Sequence, residues 1–268
     1  MASAVDKGSV GGIAVAVGGI LLGLLLEGGR IAQLMQPTAA MIVLGGTLGA
    51  VLLQYPLRTV LSAFASLRKV FFERDEDPAG AVAEMVGYAQ KARKEGIVSL
   101  DSQLESIQDP FTKKAVMLAV DGTEPAELRN IMELELDNRA ERDGQIAKVF
   151  ESAGGFAPTI GIIGAVLGLI QVMQHLDNIG EVGRGIAVAF VATIYGVGSA
   201  NLFFLPVAGK IRSRQHEDEM RREIVLEGVI SILEGMNPRM LETKLTSFLE
   251  ESHKKAREKE REKEAVPA

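Results

Sequence analysis

The sequence predicts an all-α integral membrane protein with four transmembrane helices, a helical cytoplasmic domain, and long helical extensions of spans three and four. Three observations carry this. First, Gly8 to Leu26, Ile31 to Leu57, Ser152 to Gln174 and Gly185 to Gly209 contain no Asp, Glu, Lys or Arg, and a hydrocarbon core roughly 30 Å thick needs about 20 predominantly apolar residues as a helix. Second, 47% of the 268 residues are apolar and 29 are glycine, a composition that suits membrane helices. Third, the charges are segregated into blocks between the uncharged stretches. Lys and Arg near a span mark its cytoplasmic end. Arg58, Arg68 and Lys69 follow span two, Arg139, Arg142 and Lys148 precede span three, and Lys210, Arg212 and Arg214 follow span four. The two short connections carry only Arg30 and Arg184, each with an acidic neighbour, which predicts that they face outward and that both termini are cytoplasmic.

Residues 1–57 read as a transmembrane hairpin. The first stretch has a nearly neutral flank (Asp6, Lys7) and no A-x-A-like site before the next span, so it reads as a span and not a signal peptide. Glu27-Gly-Gly-Arg30 is the hairpin tip, and Pro37 suits the first turn of span two. Residues 58–151 read as a cytoplasmic helical domain. It opens with an amphipathic helix over 59–72, with Val60, Leu61, Phe64, Leu67 and Phe71 at helical spacing, broken by the acidic run 73–77 and Pro78. A second helix covers 79–95 and ends at Gly96 after the basic Lys91, Arg93 and Lys94. Ser99-Leu-Asp-Ser102 starts a short helix with Leu104 and Ile107, and 111–120 is a further apolar turn or two. Thr123, Glu124 and Pro125 start a charged helix that runs into span three.

Spans three and four form the second hairpin, 152–209. A cytoplasmic extension over 210–249 continues span four through Ile224, Leu226, Ile230 and Leu233, and Asn237-Pro238 then separates it from a short amphipathic helix with Met240, Leu241, Lys244, Leu245 and Phe248. Residues 250–268, nearly all Lys, Arg and Glu, read as a solvated tail.

No constellation for catalysis is present, so the chain does not read as an enzyme. There is no cysteine, the three histidines (His175, His216, His253) are far apart, and no G-x-x-x-x-G-K-[ST] occurs. No cofactor and no metal are expected. A net charge of −6 gives no reason to expect nucleic acid as a partner. Within the spans, Gly19 and Gly23, and Gly164 and Gly168, have the four-residue spacing that lets membrane helices approach closely. Pro158 and Pro206 each remove a backbone hydrogen bond near a membrane boundary. Thr193 is a hydroxyl in mid-span, able either to bond back to a carbonyl one turn earlier or to line a wet pathway. Ion relays through a membrane normally need an ionisable side chain at depth, and these spans offer none. If the chain conducts ions, a partner supplies the carboxylate.

Several short motifs stand in order along the chain: Gln36-Pro-Thr-Ala with Leu44-Gly-Gly-Thr47, Lys91-Ala-Arg-Lys-Glu-Gly96 with Ser99-Leu100, Phe156-Ala-Pro-Thr-Ile-Gly-Ile-Ile-Gly164, Ala192-Thr-Ile-Tyr-Gly196, and Gly235-Met-Asn-Pro-Arg239. Together, on a four-span plan, they resemble the MotA family of flagellar stator subunits, within the wider group that includes the ExbB and TolQ proteins. The resemblance implies a homo-oligomer, a pentameric ring in the lipid bilayer of the bacterial inner membrane, around two copies of a single-span MotB-type partner whose aspartate binds the ion. It implies a cytoplasmic domain that pushes on the rotor protein FliG. Pro158 and Pro206 match the family prolines linked to coupling, and Arg93 and Asp101 match the charged rotor-facing pair, with Asp101 where several relatives carry Glu. Sodium-driven relatives show threonine hydroxyls on spans three and four. The matching positions here are Ala165 and Ala192-Thr193, where only Thr193 keeps an oxygen, so proton coupling is expected, with Thr193, Ala165 and Pro158 along the pathway. The nearest rival is an ExbB or TolQ-like energiser of outer-membrane transport, which would follow a three-span plan with a long loop after the first span. A passive scaffold whose glycines only pack helices is a third reading.

Overall fold

The computed structural model describes residues 4–73, 78–247 and 249; the charged tail, Phe248 and most of the acidic run lie outside them. The chain forms two compact units, Met1–Arg74 with Asp143–Ser213, and Asp75–Arg142 with Arg214–Ala268.

The first unit holds the four apolar segments. Helix α1 (Lys7–Leu26) is capped by Asp6, whose carboxylate accepts from the Gly8 and Ser9 amides. A two-residue antiparallel pairing of β1 (Ala4–Val5) with β2 (Phe72–Glu73) ties the start of α1 to the end of α4 (Leu57–Phe71). After the tip at Gly28 and a 3₁₀ turn over Ile31–Leu34, span two runs as α2 (Pro37–Ala40), a π turn (Met41–Gly45) and α3 (Gly46–Gln54). Its buried stripe, Ala39, Val43, Thr47 and Val51, repeats every four residues, the spacing of one helix face.

In α4 the buried residues are Val60, Ala63, Ser66 and Val70, whereas Leu57, Leu61 and Phe64 are exposed, although Leu61 and Phe64 belong to the apolar series read from the sequence. One face of α4 packs with Val51, Phe150 and Ile211, and the second apolar face stays open, as suits a helix at a membrane boundary.

Span three is the membrane half of α7 (Pro125–Gln174), which contributes to both units, and span four comprises α8 (Ile179–Ser199), a π turn (Ala200–Phe204) and the first part of α9 (Leu205–Leu233). The two spans meet backbone to backbone. A Cβ at Gly161 would lie 2.9 Å from the Ala192 carbonyl oxygen, one at Gly168 2.8 Å from that of Gly185, and one at Gly196 2.6 Å from that of Ala157. Gly164 therefore packs as its spacing predicts, together with Gly168. Gly19 and Gly23 do not: nothing lies within 4 Å of a Cβ at either, and α1 buries no residue within this chain.

The second unit closes around Met85, Leu100, Phe111, Leu128, Met132, Ile224, Leu241 and Leu245. Its elements are α5 (Pro78–Glu95), a 3₁₀ segment (Ile97–Gln103), α6 (Pro110–Val120), the start of α7, the end of α9 and a last helix over 238–247. The short helix expected from Ser99 is a 3₁₀ segment over Ile97–Gln103. Ser99 and Ser102 turn their hydroxyls onto the Gly96 and Ser99 carbonyls, 2.7 and 2.8 Å away, favouring the tighter turn. Helix α6 matches the expected 111–120 to within one residue, with Asp109 capping it and Pro110 in its first position. Helix α9 ends before Asn237-Pro238. Gly235 adopts φ 74°, and the Met236 amide donates to the Ser231 carbonyl at 3.0 Å, a left-handed cap that stops the helix.

The α7–α8 contact has a direct test. Gly196→Ala places a methyl against the Ala157 carbonyl and should destabilise the chain by about 1–3 kcal/mol, as overpacking does, whereas Gly198→Ala, with open space at its Cβ, should change stability by no more than about 0.5 kcal/mol. Thermal unfolding in detergent reads the difference, and equal behaviour of the two variants would contradict the packing.

Candidate functional site

The glycine contacts fix both register and facing. At 3.6 residues per turn, Pro158 and Ala165 lie roughly 70–90° to one side of the Gly161–Gly164–Gly168 stripe of α7. Ile160 lies on the other side, where it meets Gly46 of span two. On α8 the contacting stripe is Gly185, Ala189, Ala192 and Gly196. Val188, Val191 and Tyr195 flank it toward Ala39 and Val43 of span two, and Thr193 lies roughly 70° to the opposite side. Because the helices are antiparallel, these two sides coincide. Pro158, Ala165 and Thr193 thus share the flank of the hairpin turned away from span two, with Thr193 opposite about Ile162, between the levels of Pro158 and Ala165. Around that flank Ile162, Phe190 and Val197 are exposed.

The flank has little polarity of its own. The Thr193 hydroxyl donates to the Ala189 carbonyl at 3.2 Å, the back-bonding arrangement, and its oxygen keeps lone pairs to offer. Pro158 lacks an N–H, so the Gly154 carbonyl loses its intrahelical donor, while α7 remains continuous through the proline. Pro206 is exposed at the second position of α9, directly after the π turn, where the Leu205 amide reaches back five residues to the Ala200 carbonyl. The proline thus sits where the ladder already departs from α-helical spacing.

Two further contacts hold this unit. The Tyr195 hydroxyl donates to the Leu34 carbonyl and accepts from the Gln36 amide at 3.4 Å, satisfying backbone groups between the 3₁₀ turn and span two. Asp6 meets Lys210 at 2.7 Å. The Lys210 hydrogen bond, then the Ser9 amide, hold the Asp6 carboxyl well below the usual carboxylate range against the opposing effect of burial.

In the second unit Arg93 is exposed near the end of α5 and Asp101 is exposed in the 3₁₀ segment beyond the Gly96 turn, and neither makes an ion pair among the described residues. Glu227 forms a node there, accepting from Arg129 at 2.8 Å and from Lys244. Burial raises its carboxyl, but the hydrogen bonds from Lys244 and Arg129 outweigh it and leave the group below its ordinary value. No cluster of three metal-ligating side chains occurs among the described residues.

Residues 10–96 match the family model of the motility protein A N-terminal region, and residues 103–224 match that of the MotA/TolQ/ExbB proton channel family. Motility protein A of Bacillus subtilis (strain 168) is 35% identical over 245 residues, 91% of this chain and 91% of that protein. The chain belongs to the motility protein A family. Two solved structures are similar along nearly their whole length. The chain of C. jejuni MotAB is 30% identical with a TM-score of 0.86, over 91% of this chain and 95% of that one. The flagellar MotAB stator complex from Bacillus subtilis gives 34% identity and a TM-score of 0.84, over 97% of this chain and 100% of that one. The match over 10–96 is to motility protein A specifically, which separates this chain from a three-span energiser.

Sequence reasoning singled out neither Asp6–Lys210 nor the Glu227 node, because each joins residues about 100 or more positions apart or on separate elements. A faint signal existed for Tyr195, which stands inside the Ala192–Gly196 motif. The node predicts a pH effect. Since the folded-state pKa of Glu227 is depressed, its stabilisation is present at neutral pH and is lost as the pH falls through and below the usual carboxylate range. Glu227→Gln should therefore lower the melting temperature at pH 7 and have a smaller effect at pH 3; an effect independent of pH would contradict the node.

Proposed function

We propose that this chain is a flagellar motor stator subunit of the inner membrane that, with a MotB-type partner, forms a proton channel and converts proton flow into torque on the rotor. The observation that carries this is the full-length likeness to chains of MotAB stators in a protein whose four spans contain no ionisable residue at depth. The channel then needs the partner's carboxylate, and the chain's contribution is a surface along which that carboxylate is loaded, released and pushed.

The reading places five copies around two partner chains, with both termini in the cytoplasm. The pathway follows the flank of α7 and α8 that carries Pro158, Ala165 and Thr193, next to the partner's aspartate. A sodium ion must exchange its hydration shell for several oxygen ligands, whereas a proton needs only a carboxylate and a chain of waters. Alanine at position 165 supports the proton, since it withdraws an oxygen that a cation would use. Pro158 and Pro206 localise bending at the ends of spans three and four, and 58–151 together with 210–249 carries the motion to FliG through the exposed Arg93 and Asp101. The chain acts as a channel subunit and not as an enzyme.

Motility decides the ion. Cells that carry this protein with its partner should swim at unchanged speed in sodium-free medium and stop when a proton uncoupler is added in sodium-rich medium. Rotation that requires sodium would overturn the proton assignment and leave the stator reading standing, and motility indifferent to the protein would overturn both.

A further inference from the structure

Residues 4–6 join three helices within the first compact unit. Ala4–Val5 pairs with Phe72–Glu73, and the Asp6 amide donates to the Phe71 carbonyl at 2.9 Å, which ties the start of α1 to the end of α4. The Asp6 carboxylate is buried. It accepts from the Gly8 and Ser9 amides at 2.9 and 3.1 Å, from the Ser9 hydroxyl at 3.2 Å, and from Lys210 of α9 at 2.7 Å. The first three of these bonds cap α1, and that cap does not need the fourth. The Lys210 bond reaches instead to the extension of span four.

Lys210 stands one turn beyond Pro206. There span four passes from a π turn, closed by the Leu205 amide on the Ala200 carbonyl, to the α-helical ladder of α9, and Pro206 brings no N–H to that ladder. Helices bend at such places. A displacement of the spans would be taken up in the bend, and lost to α9, unless side chains carry it past 200–206. Two ion pairs are placed to do so: Lys210 with Asp6 of the α1 cap, and Arg212 with Glu151 of α7 at 2.6 Å. Arg212 and Glu151 are the more exposed pair, and exposed ion pairs hold little. We infer that Asp6 is a positioning residue for force transmission: its bond to Lys210 locks the start of α9 to α1 and α4, so that the three move as one body and the displacement reaches α9 without being spent at Pro206. The inference rests on the stator reading and adds to it a residue that precedes span one.

The test reads force per stator and not the number of stators. In tethered cells that carry the protein with its MotB-type partner, expression is restored gradually, and each unit that joins the motor adds a step of rotation speed at high load. Lys210→Met removes the bond while leaving the Asp6 cap in place, and should lower the height of that step; Lys210→Arg keeps a donor for Asp6 and should return it to the wild-type height. Asp6→Asn retains a good capping residue without the charge, and should also lower the step. The double variant should fall no lower than Lys210→Met alone, because both changes remove one interaction. Full-height steps from Lys210→Met, with fewer of them per motor, would make the pair a stabiliser only and overturn the inference. A Lys210→Arg step as low as that of Lys210→Met would overturn it too. Should Lys210→Met fail to assemble, Asp6→Asn decides, with a full-height step as the contrary result. Wild-type protein that adds no step would overturn the stator reading itself, which separates the two failures.

Discussion

The close approach of spans three and four is the constraint on which the rest of this membrane unit depends. Inside a bilayer there is little hydrophobic force between helices, so association rests on packing and on how near the backbones can come. Here Gly161, Gly164 and Gly168 meet Gly185, Ala189, Ala192 and Gly196 with carbonyl oxygens where side chains would otherwise stand. That single contact sets the rotation of both helices. It commits Ile160, Val188 and Tyr195 to span two and turns Pro158, Ala165 and Thr193 the other way. The open flank is therefore a consequence of where the small residues are, and not of any polar residue seeking water.

From this follows a division of chemistry between chains. A surface built from Ala165, Ile162, Phe190, Val197 and one back-bonded Thr193 cannot hold a proton, but it can exclude water from a carboxylate carried by another chain, with the Thr193 hydroxyl as its one side-chain oxygen. Charge lies outside the uncharged spans: Asp6 with Lys210 and Arg212 with Glu151, together with the Tyr55 hydroxyl on Ser152 at 2.9 Å, pin one end of the helices. Irregular backbone at depth is confined to the turn before span two and the two π turns, and Tyr195 serves the first of these.

Much of this was legible in the sequence because membrane helices declare themselves by what they lack. The four uncharged stretches, Pro37 and Pro125 at helix starts, Gly96 and the Gly164–Gly168 pair all stand as read. What escaped was of two kinds. One local backbone choice was decided by side-chain hydrogen bonds that periodicity does not register: serine hydroxyls drew 97–103 into a 3₁₀ segment. Long-range pairings such as Asp6–Lys210 and Arg129–Glu227 join residues whose proximity exists only after folding. Gly19 and Gly23 show the reverse case, a clear packing signal on a helix with no neighbour at those positions in its own chain. Of the site, the sequence supplied the residue types and the structure added their common flank.

The central claim is that this chain conducts only when another chain brings the carboxylate, and proton flux in vesicles tests it most directly. Vesicles loaded with a pH-sensitive dye, under an imposed potential, would carry this chain alone, the chain with its MotB-type partner, or the chain with a partner whose membrane aspartate is changed to asparagine. The account predicts flux above the lipid background for the complex with the intact aspartate and background flux for the other two. Equal flux through this chain alone would contradict it, since the spans would then conduct without the group assigned to the partner.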